Sequence, residues 1–137
     1  MVMLFDADNL PENVYGLVFS TRQQEVVARM LINLMKESGS EINKAQMSNF
    51  ATRLHEGTII LEVESGFQKR TVKISYNKKQ FYERILNPLK SMGMIEYDLH
   101  KKVYRLNSKF ARTLNHIGTM WLEEMRKPAV ECVLTVN

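Results

Sequence analysis

The sequence predicts a mainly helical α+β fold, and three observations predict it. Four stretches carry apolar residues at helical spacing behind good capping residues. Two pairs of short β-prone runs flank turn signals. Most of the positive charge falls in one segment, which also holds the third helix and the second pair of runs.

Residues 1–20 read as a lead-in, because Pro11, Gly16 and Asp/Asn clusters interrupt any period; Val14, Leu17, Val18 and Phe19 suit a short docked element. Ser20 or Thr21 caps the first helix, with Glu25 near its positive end. Val27, Met30, Leu31, Leu34 and Met35 form its buried stripe, and Ser38-Gly39-Ser40 ends it, Gly39 suiting the left-handed position. Asn43 and Gln46 are spaced as a capping box at the start of the second helix. Met47, Phe50, Ala51 and Leu54 are its core face, and Gly57 stops it.

Two β-prone runs, 58–64 and 70–75, surround Ser65-Gly66-Phe67-Gln68-Lys69 and predict a hairpin. Asn77 caps the third helix, which buries Phe81, Ile85, Leu89 and Met92 with Tyr82 and Leu86 beside them. Pro88 lies inside this pattern, removes one helical N–H, and predicts a kink or a junction. Beyond Gly93, strands 94–98 and 103–106 flank the basic turn Leu99-His100-Lys101-Lys102. Ser108 is expected to cap a last helix over 108–127, stopped by Pro128; the β-prone tail 128–137 is expected to pair with a sheet edge or stay loose. The organisation is therefore one domain, 21–127, with a lead-in and a tail.

Charge narrows the function. Residues 67–112 hold twelve Lys/Arg against Glu83, Glu96 and Asp98, a formal +9, whereas residues 1–66 carry −4 and 113–137 carry −1. A cationic block of this density attracts polyanions and steers them in, more weakly as salt rises. No run is long and apolar enough for a membrane span, and the N-terminus lacks the features of a signal peptide. The lone Cys132 excludes an internal disulfide and a multi-cysteine zinc site, and is expected to be inert; a cytoplasmic location fits. His55, His100 and His116 are scattered, so neither a metal nor a cofactor is expected. Phosphate-binding glycine loops and the GxSxG nucleophile motif are absent, so an enzyme is not expected. Trp121 and the other aromatics read as core or interface, and Tyr97 and Tyr104 as packing on their sheet.

The run Phe81-Tyr82-Glu83-Arg84-Ile85-Leu86-Asn87-Pro88-Leu89-Lys90-Ser91-Met92-Gly93-Met94-Ile95 resembles the recognition helix and following strand of winged helix-turn-helix transcription regulators. The matching features are Leu89 near the helix end, Gly93 shortly after, and Met94-Ile95 leading into the hairpin; a Pro before that Leu occurs in some members, particularly archaeal ones. The resemblance implies a winged helix-turn-helix fold with the third helix in the DNA major groove, a wing at 98–102, and an intracellular regulator of archaeal or viral type. The hairpin between the second and third helices departs from the usual short turn and reads as an extra wing.

With this frame, Gln80, Arg84 and Asn87 are candidates for base edges: Arg for guanine, Asn or Gln for adenine. Lys78, Lys79 and Lys90 near the helix ends, His100, Lys101, Lys102 and Arg105 in the wing, and Lys69 and Arg70 in the extra hairpin are candidates for backbone contact. In the last helix, 110/114/117/121 is expected to pack on its own domain, leaving 111/118/122/125 uncovered. A homodimer is expected there, with contacts from Ala111, Leu114, Gly118, Trp121, Leu122 and Met125. The expected partner is double-stranded DNA. A plasmid or viral replication initiator, or a winged-helix protein-interaction module, are the alternatives.

Overall fold

The computed structural model describes residues 5–130, with the backbone alone for residues 63–65. The elements run α1 (Val14–Val18), α2 (Arg22–Glu37), β1 (Glu41–Asn43), α3 (Lys44–Glu56), β2 (Ile59–Ser65), β3 (Gln68–Ile74), α4 (Lys78–Phe81), a π-helical turn (Tyr82–Leu86), α5 (Asn87–Ser91), β4 (Ile95–Asp98), β5 (Val103–Leu106) and α6 (Lys109–Arg126). The mainly helical α+β class expected from sequence is the class observed. The tail residues 131–137, including Cys132, and residues 1–4 lie outside the described residues.

The helices begin and end where local chemistry directs. The Thr21 hydroxyl accepts from the Gln24 N–H (3.2 Å), which satisfies one of the orphan donors at the start of α2. After α2, Gly39 adopts φ +75° and the Ser40 N–H reaches the Met35 carbonyl at 2.8 Å, closing the helix with a Schellman-type bond. At α3 the capping box is complete: the Gln46 N–H donates to Asn43 Oδ1 and the Asn43 N–H donates to Gln46 Oε1, both at 2.8 Å. The last helix departs from expectation. Ser108 makes no capping bond, and Asn107 Oδ1 instead accepts from the Lys109 N–H at 2.9 Å.

The two sheets are small and separate. One has strand order β1-β5-β4 and is antiparallel, with Ile42 opposite Tyr104 and Ile95 opposite Leu106. Sequence periodicity gives no sign of β1, because three residues with one apolar side chain, Ile42, carry no period. The other sheet is the β2–β3 hairpin, paired only with itself. Ser65 faces Gln68, so its turn is the pair Gly66-Phe67 and not the five residues expected. Gly66 takes φ +63°, and a positive φ at the first central residue alone is the II′ arrangement, which matches strand twist.

The hairpin is an excursion whose ends meet. The Tyr76 N–H donates to the Leu54 carbonyl at 3.0 Å, and a Cβ on Gly57 would stand 3.6 Å from that of Ser75. The chain therefore leaves α3 and re-enters at α4 as if joined by a short turn.

Among the described residues the core is aliphatic and aromatic, with no buried charge. Val27, Ala28, Leu31 and Met35 of α2 meet Met47, Phe50, Ala51 and Leu54 of α3, with Phe81, Ile85, Leu86 and Leu89 from the third helical stretch. Phe81 packs edge-on to Phe50 with ring centroids 5.5 Å apart, an arrangement that adds to area burial. Each such large side chain contributes about 1.5–3 kcal/mol on removal from water. Phe19, at the end of the lead-in, joins this cluster, and α1 lies against α2. Met92, expected in the buried stripe, is only half-buried, because the helix has already ended at Ser91.

Candidate nucleic-acid interface

The helical stretch 78–91 is organised by Pro88. Proline has no N–H to offer the Arg84 carbonyl, and its ring would strike that carbonyl in a regular α-helix. The chain responds by widening one turn: the Asn87 N–H donates to the Tyr82 carbonyl, five residues back, so 82–86 is π-helical. The junction expected at Pro88 is this widened turn. It places Ile85 and Leu86 side by side in the core with Phe81 and Leu89. Lys79, Glu83, Arg84, Asn87 and Lys90 remain exposed.

The cations on this surface are not equivalent. Arg84 and Asn87 make no side-chain hydrogen bond or ion pair among the described residues, so their polar ends are available. Lys79 lies 3.9 Å from Glu83 with both side chains well exposed, a pairing worth little in water. Lys78 is held inward: its ammonium reaches Thr52 Oγ1 at 2.9 Å and Ser48 Oγ at 3.4 Å on α3, and its N–H donates to His55 Nδ1. Gln80 is half-buried, although Asn77 caps the helix as expected by accepting from the Gln80 N–H. Lys90 sits with its ammonium 6.0 Å from the Tyr97 ring centroid, linking the end of the helix to β4.

The β4–β5 turn is built by Asp98. Its Oδ1 accepts from the His100 and Lys101 N–H groups at 2.9 and 3.1 Å, and its carbonyl accepts from the Lys102 N–H at 2.7 Å. Lys102 closes the turn in the left-handed region at φ +55°. Asp98 Oδ2 meets the Arg105 guanidinium at 3.0 Å. The Lys101 N–H bond above all, with the His100 N–H and the Arg105 charge, holds the Asp98 carboxyl below its ordinary range. The side chains of Lys101 and Lys102 are exposed and make no ion pair among the described residues, while Arg105 is occupied by Asp98 and, at 4.0 Å, Glu96. Asp98 escaped the sequence reading as a site residue, although an Asp opening a turn is the signal that finds it. Tyr97 and Tyr104 pack against each other across the strands, centroids 4.7 Å apart and rings tilted by 44°, as expected, and burial raises the Tyr104 hydroxyl above its ordinary value.

Gly93 fixes how α6 departs. Its φ is +82°, and a Cβ there would lie 3.2 Å from the Phe110 nitrogen and from Lys109 Cβ. The Gly93 carbonyl accepts from the Phe110 N–H. Beyond this junction α6 buries nothing completely; Phe110 and Leu114 are half-buried, and Ile117, Trp121, Leu122 and Met125 are about half to two-thirds exposed. The expectation that 110/114/117/121 packs on its own domain holds only for Phe110 and Leu114, since the helix runs off the body after its first turns and leaves Ile117 and Trp121 exposed. At about 100° per residue the two expected stripes merge into one apolar arc of roughly 140°, from Ile117 through Trp121, Leu114, Met125 and Gly118 to Ala111 and Leu122. Trp121 is not core, and neither is Phe67, which projects from the β2–β3 turn with a relative exposure of 110%.

In the β2–β3 hairpin, Arg70 and Lys73 are exposed on β3, and Lys69 faces Glu64 across the register. No group of metal-ligating side chains occurs among the described residues, and no helix there is long and apolar enough to cross a membrane. Compared with protein-family models, curated proteins and solved structures, the chain has no match.

Proposed function

We propose that this protein is a winged helix-turn-helix regulator that binds double-stranded DNA as a homodimer. The observation that carries the reading is the division of the 78–91 helix: an apolar side sealed in the core and an outer side offering unpaired Arg84 and Asn87, flanked by Lys79 and Lys90. The order α2, β1, α3, third helix, β4 and β5, with the strands in one sheet, supports the winged-helix assignment. A major groove about 12 Å wide admits one such helix, where Arg84 suits guanine and Asn87 adenine. Lys101 and Lys102, on a turn made rigid by Asp98, contact backbone phosphates. Lys78 and Arg105 serve the protein's own structure, and their contribution to binding is through the shape they hold.

The apolar arc of α6 is the dimer surface. Soluble monomers rarely expose large contiguous apolar patches, and two-fold pairing is the commonest way a chain covers itself. Two recognition helices then address half-sites about one helical turn apart on a pseudo-palindrome. The test is a gel-shift titration on duplex DNA at several salt concentrations, with mass by light scattering. Binding by a dimer with a steep salt dependence is expected; no shift at low salt overturns the reading. A second reading, a winged-helix protein-interaction module, is favoured by the same bare arc, and salt-insensitive capture of a protein partner without a DNA shift would establish it.

A further inference from the structure

The β2–β3 hairpin has a feature that the helix-and-wing reading leaves unused. Its base is anchored: Ile59 is buried, and Ile74, opposite it, and Leu61 and Val72, opposite each other, are half-buried. Its outer part, 66–71, is exposed. Phe67 stands at the tip with its whole ring exposed, a placement that costs hydrophobic free energy and gains no contact among the described residues. Arg70 and Lys73 lie exposed along the strand leading back from the tip. That strand re-enters the body at Tyr76-Asn77, immediately before the helix proposed to read DNA.

We propose that Phe67 is an aromatic wedge that inserts between base pairs of the duplex, with Arg70 and Lys73 bracing the hairpin on the phosphates. The proposal rests on the duplex-binding reading above. Reach supports it. Seven residues per strand at about 3.3 Å each give an arm of roughly 20 Å. Adjacent grooves along a duplex recur about every half-turn, roughly 17 Å. An arm of that length, rooted at the start of a helix in the major groove, is long enough to reach the neighbouring minor groove, where apolar wedges unstack base steps. The two-residue turn suits the role, since it presents one aromatic ring and little else. By strand alternation Arg70 shares a face with Val72 and Ile74, and Lys73 lies on the opposite face with Glu62, so the two cations reach phosphates on either side of the hairpin.

Insertion of a wedge unwinds DNA, and this gives a readout independent of sequence and of plain affinity. Nicked plasmid is resealed by ligase in the presence of the protein, and the linking number is read from topoisomer ladders. The wild-type chain is expected to lower the linking number in proportion to protein bound. Phe67→Ala is expected to abolish that change and weaken duplex binding about tenfold with an unchanged salt slope, since no charge is lost. Phe67→Leu is expected to keep part of both. Arg70→Ala with Lys73→Ala is expected to flatten the salt slope by about two. Because Phe67 is fully exposed among the described residues, and Arg70 and Lys73 are exposed too, these variants fold as the parent does. If the parent binds DNA with a steep salt slope and Phe67→Ala changes neither linking number nor affinity, the wedge is overturned while the DNA reading stands. If the parent does not bind DNA at all, both fall.

Discussion

The 78–91 helix and α6 carry the same kind of apolar pattern and meet opposite fates. In the first, Phe81, Ile85, Leu86 and Leu89 are all at most 2% exposed, enclosed by α2, α3 and the sheet. In the second, the arc runs past the edge of the body and only Phe110 and Leu114 gain partial cover. Periodicity tells that a face is to be covered, not by what. The same physics that builds the body thus leaves α6 with an unspent surface, and the proposed division of labour follows: one helix reads and the other assembles.

The contrast is broken most directly by truncating each face. Phe81→Ala or Leu89→Ala is expected to cost about 3–5 kcal/mol in chemical denaturation, at any protein concentration, because a cavity opens in a closed core. Trp121→Ala is expected to leave the unfolding midpoint of the isolated chain unchanged; a loss of similar size would mean that α6 packs on its own body after all. A stronger test of assembly is Trp121→Glu, which places a charge in the arc. Light scattering is expected to give the mass of a single chain, and specific DNA affinity is expected to fall by an order of magnitude or more as two linked contacts become one.

Smaller effects sharpen the reading side. Arg84→Ala is expected to cost roughly 1–3 kcal/mol at a selected site and relax preference at one base position, measured by competition with single-base variants. Lys101→Ala with Lys102→Ala is expected to weaken all sequences alike and reduce the salt slope by about two; a changed preference at constant slope would sink the wing assignment. The smallest effect is acid loosening of the β4–β5 turn. Asp98 favours its ionised form in the fold, so its support is full at neutral pH and is lost as pH falls through its depressed value, below the ordinary carboxylate range. Amide signals of His100 and Lys101 are expected to report that loss, and Asp98→Ala is expected to produce it at pH 7.

Much of this architecture is legible in the sequence. The Asn43/Gln46 capping box, the core faces of α2 and α3 and the glycines that end the helices depend on neighbours in sequence, and local chemistry decides them. What was not legible depends on distant partners. Nothing near Lys78 reveals that its ammonium is drawn to Ser48 and Thr52, some thirty residues earlier. Nothing near Arg105 distinguishes a phosphate ligand from a partner of Asp98 across the strand. The aromatic exposed at the tip of the β2–β3 hairpin follows from the turn being two residues long, a register detail that the Ser65–Lys69 run leaves open.

The widened turn at 82–86 has an evolutionary consequence. It holds one residue more than a regular helix needs, and Pro88 is the reason that residue is tolerated. The two changes are therefore coupled. Deleting one residue from 82–86 alone would bring the proline ring against a carbonyl, and replacing Pro88 alone would leave a bulge with no cause. Made together, they restore an ordinary α-helix with the same core face. Related chains are expected to differ here by a paired event, a proline and a one-residue insertion gained or lost in step, so the length of this helix is a phylogenetic marker carried inside the proposed reading element.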